Sequence, residues 1–131
     1  TYMTCLSQLF ADQAILDPVL ASFRENTPLQ WTRVHDLPDY VYFNHSAHVR
    51  RGVGCVSCHG RIDTMEVVSQ QMPLSMGWCL DCHRDPAPNL RPVDQVTNMK
   101  WEKPGNHPQW VEDWMKEKDI NPPIACSGCH R

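Results

Sequence analysis

Cys55-Val56-Ser57-Cys58-His59, Cys79-Leu80-Asp81-Cys82-His83 and Cys126-Ser127-Gly128-Cys129-His130 spell one pattern, Cys-x-x-Cys-His, three times. That pattern is the attachment signature of c-type haem. Two thiols add to the vinyl groups of the macrocycle, and the adjacent imidazole binds iron on the proximal side. On a helical turn, cysteines at i and i+3 and a histidine at i+4 share one face. A bare Cys-x-x-Cys also suits a zinc ribbon or a thiol-disulfide enzyme, and the spacing between Cys58 and Cys79 fits a four-cysteine ribbon. The histidines decide between these readings. With 7 His in 131 residues, a histidine after all three pairs has a chance probability of about 10⁻⁴ against the haem signature. A ribbon would also strand Cys126 and Cys129. The expectation is three haem c, held at Cys55 and Cys58, Cys79 and Cys82, and Cys126 and Cys129, with His59, His83 and His130 as proximal ligands.

A chain of 131 residues suits one domain-sized body, but 11 Pro and 6 Gly interrupt regular structure and the apolar content is modest. Three macrocycles would supply the missing apolar mass. The expected fold class is therefore mainly α and irregular, a small multihaem cytochrome c with short helices and loops wrapped around three covalently bound haems. Folding and attachment should be coupled, as in small metal-dependent domains.

Covalent haem attachment takes place outside the cytoplasm in bacteria, so the chain implies export. It starts at Thr1 without a charged and apolar leader, as a mature form or a fragment would. No run approaches the roughly 18 apolar residues of a membrane span. Cys5 is left over from the attachment sites; Tyr2-Met3-Thr4 before it does not resemble a lipobox, so a buried or free thiol is expected. The net charge of -3, made more acidic by propionates, and the lack of a basic stripe argue against nucleic acid.

Residues 4 to 25 read as helical, with Leu6, Leu9 and Phe10 on one face, then a break where Asp17 caps a new turn with Pro18 at its first position and Leu16, Val19, Leu20 and Phe23 follow. An N-terminal segment of 1–28 would thus precede a haem-bearing domain of 29–131. Tyr40-Val41-Tyr42-Phe43 gives one edge-like strand at best. Loops should dominate 44–91. After Gly105, His107 is expected to cap a helix carrying Trp110, Val111, Trp114 and Met115 on its apolar face, stopped by Asn121-Pro122-Pro123.

Four histidines are left for the distal sides of the irons. His45 and His48 are three apart in Phe43-Asn44-His45-Ser46-Ala47-His48; on one helical turn both imidazoles emerge on the same side and can reach two adjacent irons. His45 is expected to close the first haem and His48 one of the others. The third distal ligand is expected to be His35, with Met76 the alternative and Met72 and His107 less favoured; Met76 would make a His/Met site of higher potential. Arg84 and Arg131, each following a proximal histidine, could pair with propionates or stand in solvent. Trp31, Trp78 and Trp101 are expected to pack on porphyrin edges.

The string from Trp31 through Phe43-Asn44-His45-Ser46-Ala47-His48-Val49, continued by Gly52-Val53-Gly54-Cys55 and Met76-Gly77-Trp78-Cys79, resembles class III, c7-like multihaem cytochromes, and among them the multihaem cytochrome subunit of alternative complex III, a bacterial quinol-oxidising complex. The likeness covers residues 29–131, and the Phe-x-His-x-x-His element is its most specific part. The resemblance implies electron transfer on the periplasmic side of the membrane, from an iron-sulfur protein and membrane subunits toward an acceptor cytochrome. It also implies that His45 and His48 serve two different haems. That subunit usually has five haems, whereas no motif precedes residue 55 here; a C-terminal portion, a shortened homologue and a separate triheme member are all consistent with this.

Two functional classes follow. The leading one is an electron wire without a substrate site of its own, working in a quinol-oxidising complex or as a soluble shuttle. The other is a redox enzyme with one open haem, which needs acid-base groups beside a free iron position.

Overall fold

The computed structural model describes Gln8 and residues 12–130. Cys5, the face of Leu6, Leu9 and Phe10, and Arg131 lie outside the described residues. The chain divides into two compact units, one ending at Arg33 and the other starting at Val34.

In the first unit, a 3₁₀ turn at Ala14–Leu16 runs straight into helix α1, Asp17–Glu25. Leu16 already has near-helical φ and ψ, so Asp17 is the first helical residue and not the expected cap. Pro18 sits in the first turn, where its missing N–H costs no hydrogen bond. Leu20 is the buried residue of this helix, while Phe23 stays exposed. The chain leaves the helix through Asn26 in the left-handed conformation, whose N–H donates to the Ser22 carbonyl.

The second unit carries helices α2 (His45–Arg51), α3 (Cys55–His59), α4 (Met76–Arg84), α5 (His107–Glu117) and α6 (Cys126–Cys129), joined by 3₁₀ turns and irregular chain. Three helices thus fall in 44–91, where loops were expected to dominate. Their signals are caps, not apolar periodicity. The Asn44 side chain accepts from the Ser46 N–H to start α2, and the Ser75 hydroxyl accepts from the Trp78 N–H to start α4. No strand forms among the described residues. The stretch 40–43 makes a single antiparallel bridge, Val41 to His130, with the Tyr42 N–H donating to the Cys129 carbonyl at 2.7 Å.

Around the first attachment motif the backbone is laced to a distant segment. The Arg91 N–H donates to the Gly52 carbonyl (2.8 Å), and the Cys55 N–H to the Val96 carbonyl (3.0 Å). Gly52 ends α2 at φ 90°, and a Cβ there would run into the Arg91 carbonyl oxygen, so both conformation and close approach require glycine. Leu90, Val96 and Val111 are buried in this unit, with Pro86 also buried in the chain before Leu90. At about 1.5–3 kcal/mol for each fully buried side chain, they form a small core.

Helix α5 covers that core with Val111. It ends in a Schellman motif: Asp119 is left-handed, its N–H donates to the Lys116 carbonyl, and the Ile120 N–H donates to the Met115 carbonyl. The helix therefore stops before Asn121-Pro122-Pro123. Its N-cap is Asn106. His107, expected as the cap, is the first helical residue, and its buried ring points inward.

Candidate haem sites

Each Cys-x-x-Cys pair lies on a helix: α3 for the first, the second half of α4 for the second, α6 for the third. Helical geometry brings the two thiols of each pair to one side, with the motif histidine following. His59 and His83 are helical and His130 is the C-cap of α6.

Helix α2 then places its two histidines in front of two different motifs. The His45 and His59 ring centroids are 6.3 Å apart with 8° between planes, and those of His48 and His83 are 6.2 Å apart at 40°. A metal-imidazole bond is about 2.0 Å and the ring centre lies roughly 1 Å beyond the nitrogen, so two imidazoles on opposite sides of one ion have centroids roughly 6 Å apart. Both pairs match that separation.

Hydrogen bonding sets the tautomers of the second pair. The His83 Nδ1–H donates to the Pro123 carbonyl (2.7 Å) and the His48 Nδ1–H to the Asn44 carbonyl (3.0 Å). A carbonyl can only accept, so the proton is on Nδ1 and each Nε2 keeps its lone pair for a metal. Around His59 the arrangement differs. Its Nδ1 is buried without a hydrogen-bond partner, and burial, with His35 and His45 nearby, lowers its pKa and favours the neutral ring that binds metal.

The thiols fit attachment better than the competing chemistries. Cys55, Cys58, Cys79, Cys82, Cys126 and Cys129 are all free. Burial, with Cys82, Cys79 and Cys55 nearby, pushes the Cys58 thiol up to about 11, and burial raises Cys79 and Cys82 as well. A thiol-disulfide enzyme needs the opposite shift. A zinc ribbon needs three or four ligands converging on one point, and among the described residues no group of three His, Cys, Asp or Glu does so. Haem would take thioether bonds from the paired thiols and imidazole ligands for its iron, and the pairs His45 with His59 and His48 with His83 beside those thiols suit it.

A family model described as cytochrome c7 and related cytochrome c matches residues 41–131. The chain belongs to the cytochrome c7 family. Membership makes it a multihaem electron-transfer cytochrome of the haem c type. Among curated proteins no match is found. No helix among the described residues is long and apolar enough to cross a membrane.

The other candidates in this cytochrome c7 chain are distributed unevenly. His35 meets the His59 ring edge-on at 4.4 Å, and its Nε2 is buried without a partner. The ring beside His130 is that of Tyr40, at 5.8 Å. Met76 stands in the first turn of α4, 65% exposed. His107 has its Nε2–H donating to the buried Leu90 carbonyl at 2.9 Å, so that nitrogen has no lone pair to offer a metal. Arg84 pairs with Asp81 at 3.4 Å on the surface. Trp31 is exposed, whereas Trp101 packs against His107 and under the Arg91 guanidinium.

Two features were missed in the sequence. Pro123, read as a helix stop, supplies the carbonyl that orients His83. Arg91, read only as the edge of a loop, is a buried cation behind the first motif. Neither had a local signal, since each depends on a contact many residues away in sequence.

Proposed function

We propose that the chain is a triheme electron-transfer cytochrome of the periplasm, or of the outer face of the cytoplasmic membrane, working as the cytochrome subunit of a quinol-oxidising complex of the alternative complex III type. The observation that carries the electron-wire reading is the double pairing, His45 with His59 and His48 with His83, at separations suited to one iron each. An iron held between two imidazoles has no position for substrate, which favours transfer over catalysis. Haem supplies one-electron chemistry at iron. The chain supplies three pairs of thiols, the proximal imidazoles His59, His83 and His130, and the distal ligands.

In this reading His45 closes the first site and His48 the second. The third takes its distal ligand from His35 or Met76; the contact of His35 with His59 counts against His35. A His/Met site would have the higher potential and so give the path a direction. The partners are an iron-sulfur protein and membrane subunits as donors and an acceptor cytochrome. The complex assignment rests on the likeness of 29–131 to that subunit, and a soluble triheme shuttle is the alternative. A redox enzyme with one open haem gains one supporting observation, the Tyr40 ring beside His130, which brings a phenol to the third site.

Purification from native membranes with mild detergent tests the assignment. Stable recovery with quinol-oxidising activity, iron-sulfur and membrane subunits is expected; recovery alone in the soluble periplasmic fraction would leave the shuttle. A haem count other than three per chain would refute the triheme reading.

A further inference from the structure

Arg91 is a buried charge that the ligand pairs do not use. It is 6% exposed, and its Nε has no hydrogen-bond partner. Its Nη1–H donates to the Asn98 carbonyl at 3.1 Å, and its guanidinium lies 4.8 Å from the centre of the Trp101 ring. A Cβ on Gly54 would run into the guanidinium itself, and Gly54 directly precedes Cys55. The cation is therefore packed against the entrance of the first attachment motif.

The ion pairs of Arg61, Arg84, Lys116 and Lys118 engage Asp63, Asp81, Glu112 and Glu117, and Arg91 takes part in none of them. A guanidinium cannot shed its proton to escape burial, and burying it is unfavourable without an anion or a full set of acceptors. Its planar fork of donors suits a carboxylate. The Arg91 N–H is tied to the Gly52 carbonyl, and its guanidinium occupies the space a Cβ on Gly54 would need, so the fold fixes the position.

We propose that Arg91 receives a carboxylate of the group attached at Cys55 and Cys58, a haem propionate, and that its charge raises the reduction potential of the first haem. The proposal rests on the cytochrome reading. A positive charge held close to iron disfavours the more positive ferric state, so its loss lowers the potential of that haem before the other two.

The test uses the full chain matured with haem, as wild type, Arg91→Gln and Arg91→Lys. Haem is counted by the pyridine haemochrome, and individual potentials are read by NMR-monitored redox titration. The first haem is identified as the one whose signals His45→Met perturbs. Arg91→Gln is expected to retain three haems and to lower the reduction equilibrium constant of the first by about tenfold, 59 mV for a one-electron couple, with smaller changes at the others. Arg91→Lys is expected to keep most of that potential while shifting the propionate band of the first haem in resonance Raman spectra, since an ammonium cannot reproduce the fork.

Unchanged potentials in Arg91→Gln, an equal fall at all three haems, or a fall in Arg91→Lys as large as in Arg91→Gln would overturn the proposal. If Arg91→Gln fails to mature, an unshifted propionate band in Arg91→Lys overturns it and a shifted band supports it. A wild type with fewer than three haems per chain would instead overturn the triheme reading on which the proposal rests, and the haem count reports that separately.

Discussion

His59 and His83 each face an imidazole brought by a single helical turn, at 6.3 and 6.2 Å, whereas the ring beside His130 is the phenol of Tyr40. The difference lies in what carries each site. The first two depend on i and i+3 positions of α2, a relation fixed by helix geometry once Asn44 caps the start. The third is held by backbone contacts, Val41 bridged to His130 and the Tyr42 N–H donating to the Cys129 carbonyl. Local geometry thus sets two imidazole pairs, and long-range chain packing sets the surroundings of His130.

The comparison breaks most completely if the attachment cysteines are removed. With a buried core in the second unit as small as Leu90, Val96, Val111 and Pro86 among the described residues, the chain with all six motif cysteines changed to serine should lose its cooperative thermal transition in calorimetry and much of its helical circular dichroism. A cooperative transition retained in that variant would show a fold independent of haem.

The two α2 histidines should be separable. His48→Met should convert one haem to His/Met ligation and raise its potential by a substantial part of the roughly 0.8 V range that axial ligands span. His45→Met should do the same to a different haem. Potentiometric titration followed optically checks both; the same haem moving in both variants would contradict the assignment of one histidine to each site.

At the third site the contrast is sharpened by Met76→Ala and His35→Ala. Met76→Ala should create a carbon monoxide-binding haem in the dithionite-reduced protein. His35→Ala should leave carbon monoxide binding as in wild type, because His35 lies against His59. The reverse outcome would return His35 to the third iron. The smallest effect is expected at the backbone behind the first site. Gly52→Ala, forced to φ 90° and against the Arg91 carbonyl, should destabilise the mature protein by about 1–3 kcal/mol, read as a lower melting temperature with three haems retained.

The helical turns of the three Cys-x-x-Cys-His motifs and the turn that sets His45 toward His59 and His48 toward His83 were legible because each is written in adjacent residues. The strand expected at Tyr40-Val41-Tyr42-Phe43 reduced to one bridge because Asn44 caps a helix immediately after it, leaving no length for a ladder. His107 looked like a cap from its place before Pro108, yet the Leu90 carbonyl needed a donor in the core and the ring turned inward to supply one. The roles of Pro123 and Arg91 were hidden because each acts on a residue tens of positions away. Arg84, adjacent to its motif histidine and so easier to suspect, is a surface ion pair with Asp81.

The central claim is that α2 closes two irons with imidazole. Low-temperature magnetic circular dichroism in the near infrared counts irons with two imidazole ligands in the oxidised protein, since their charge-transfer band differs from that of His/Met or high-spin haem. The account predicts at least two such irons per chain, falling by one in His45→Met and by one in His48→Met. Fewer than two in the wild type, or no loss in either variant, would contradict it.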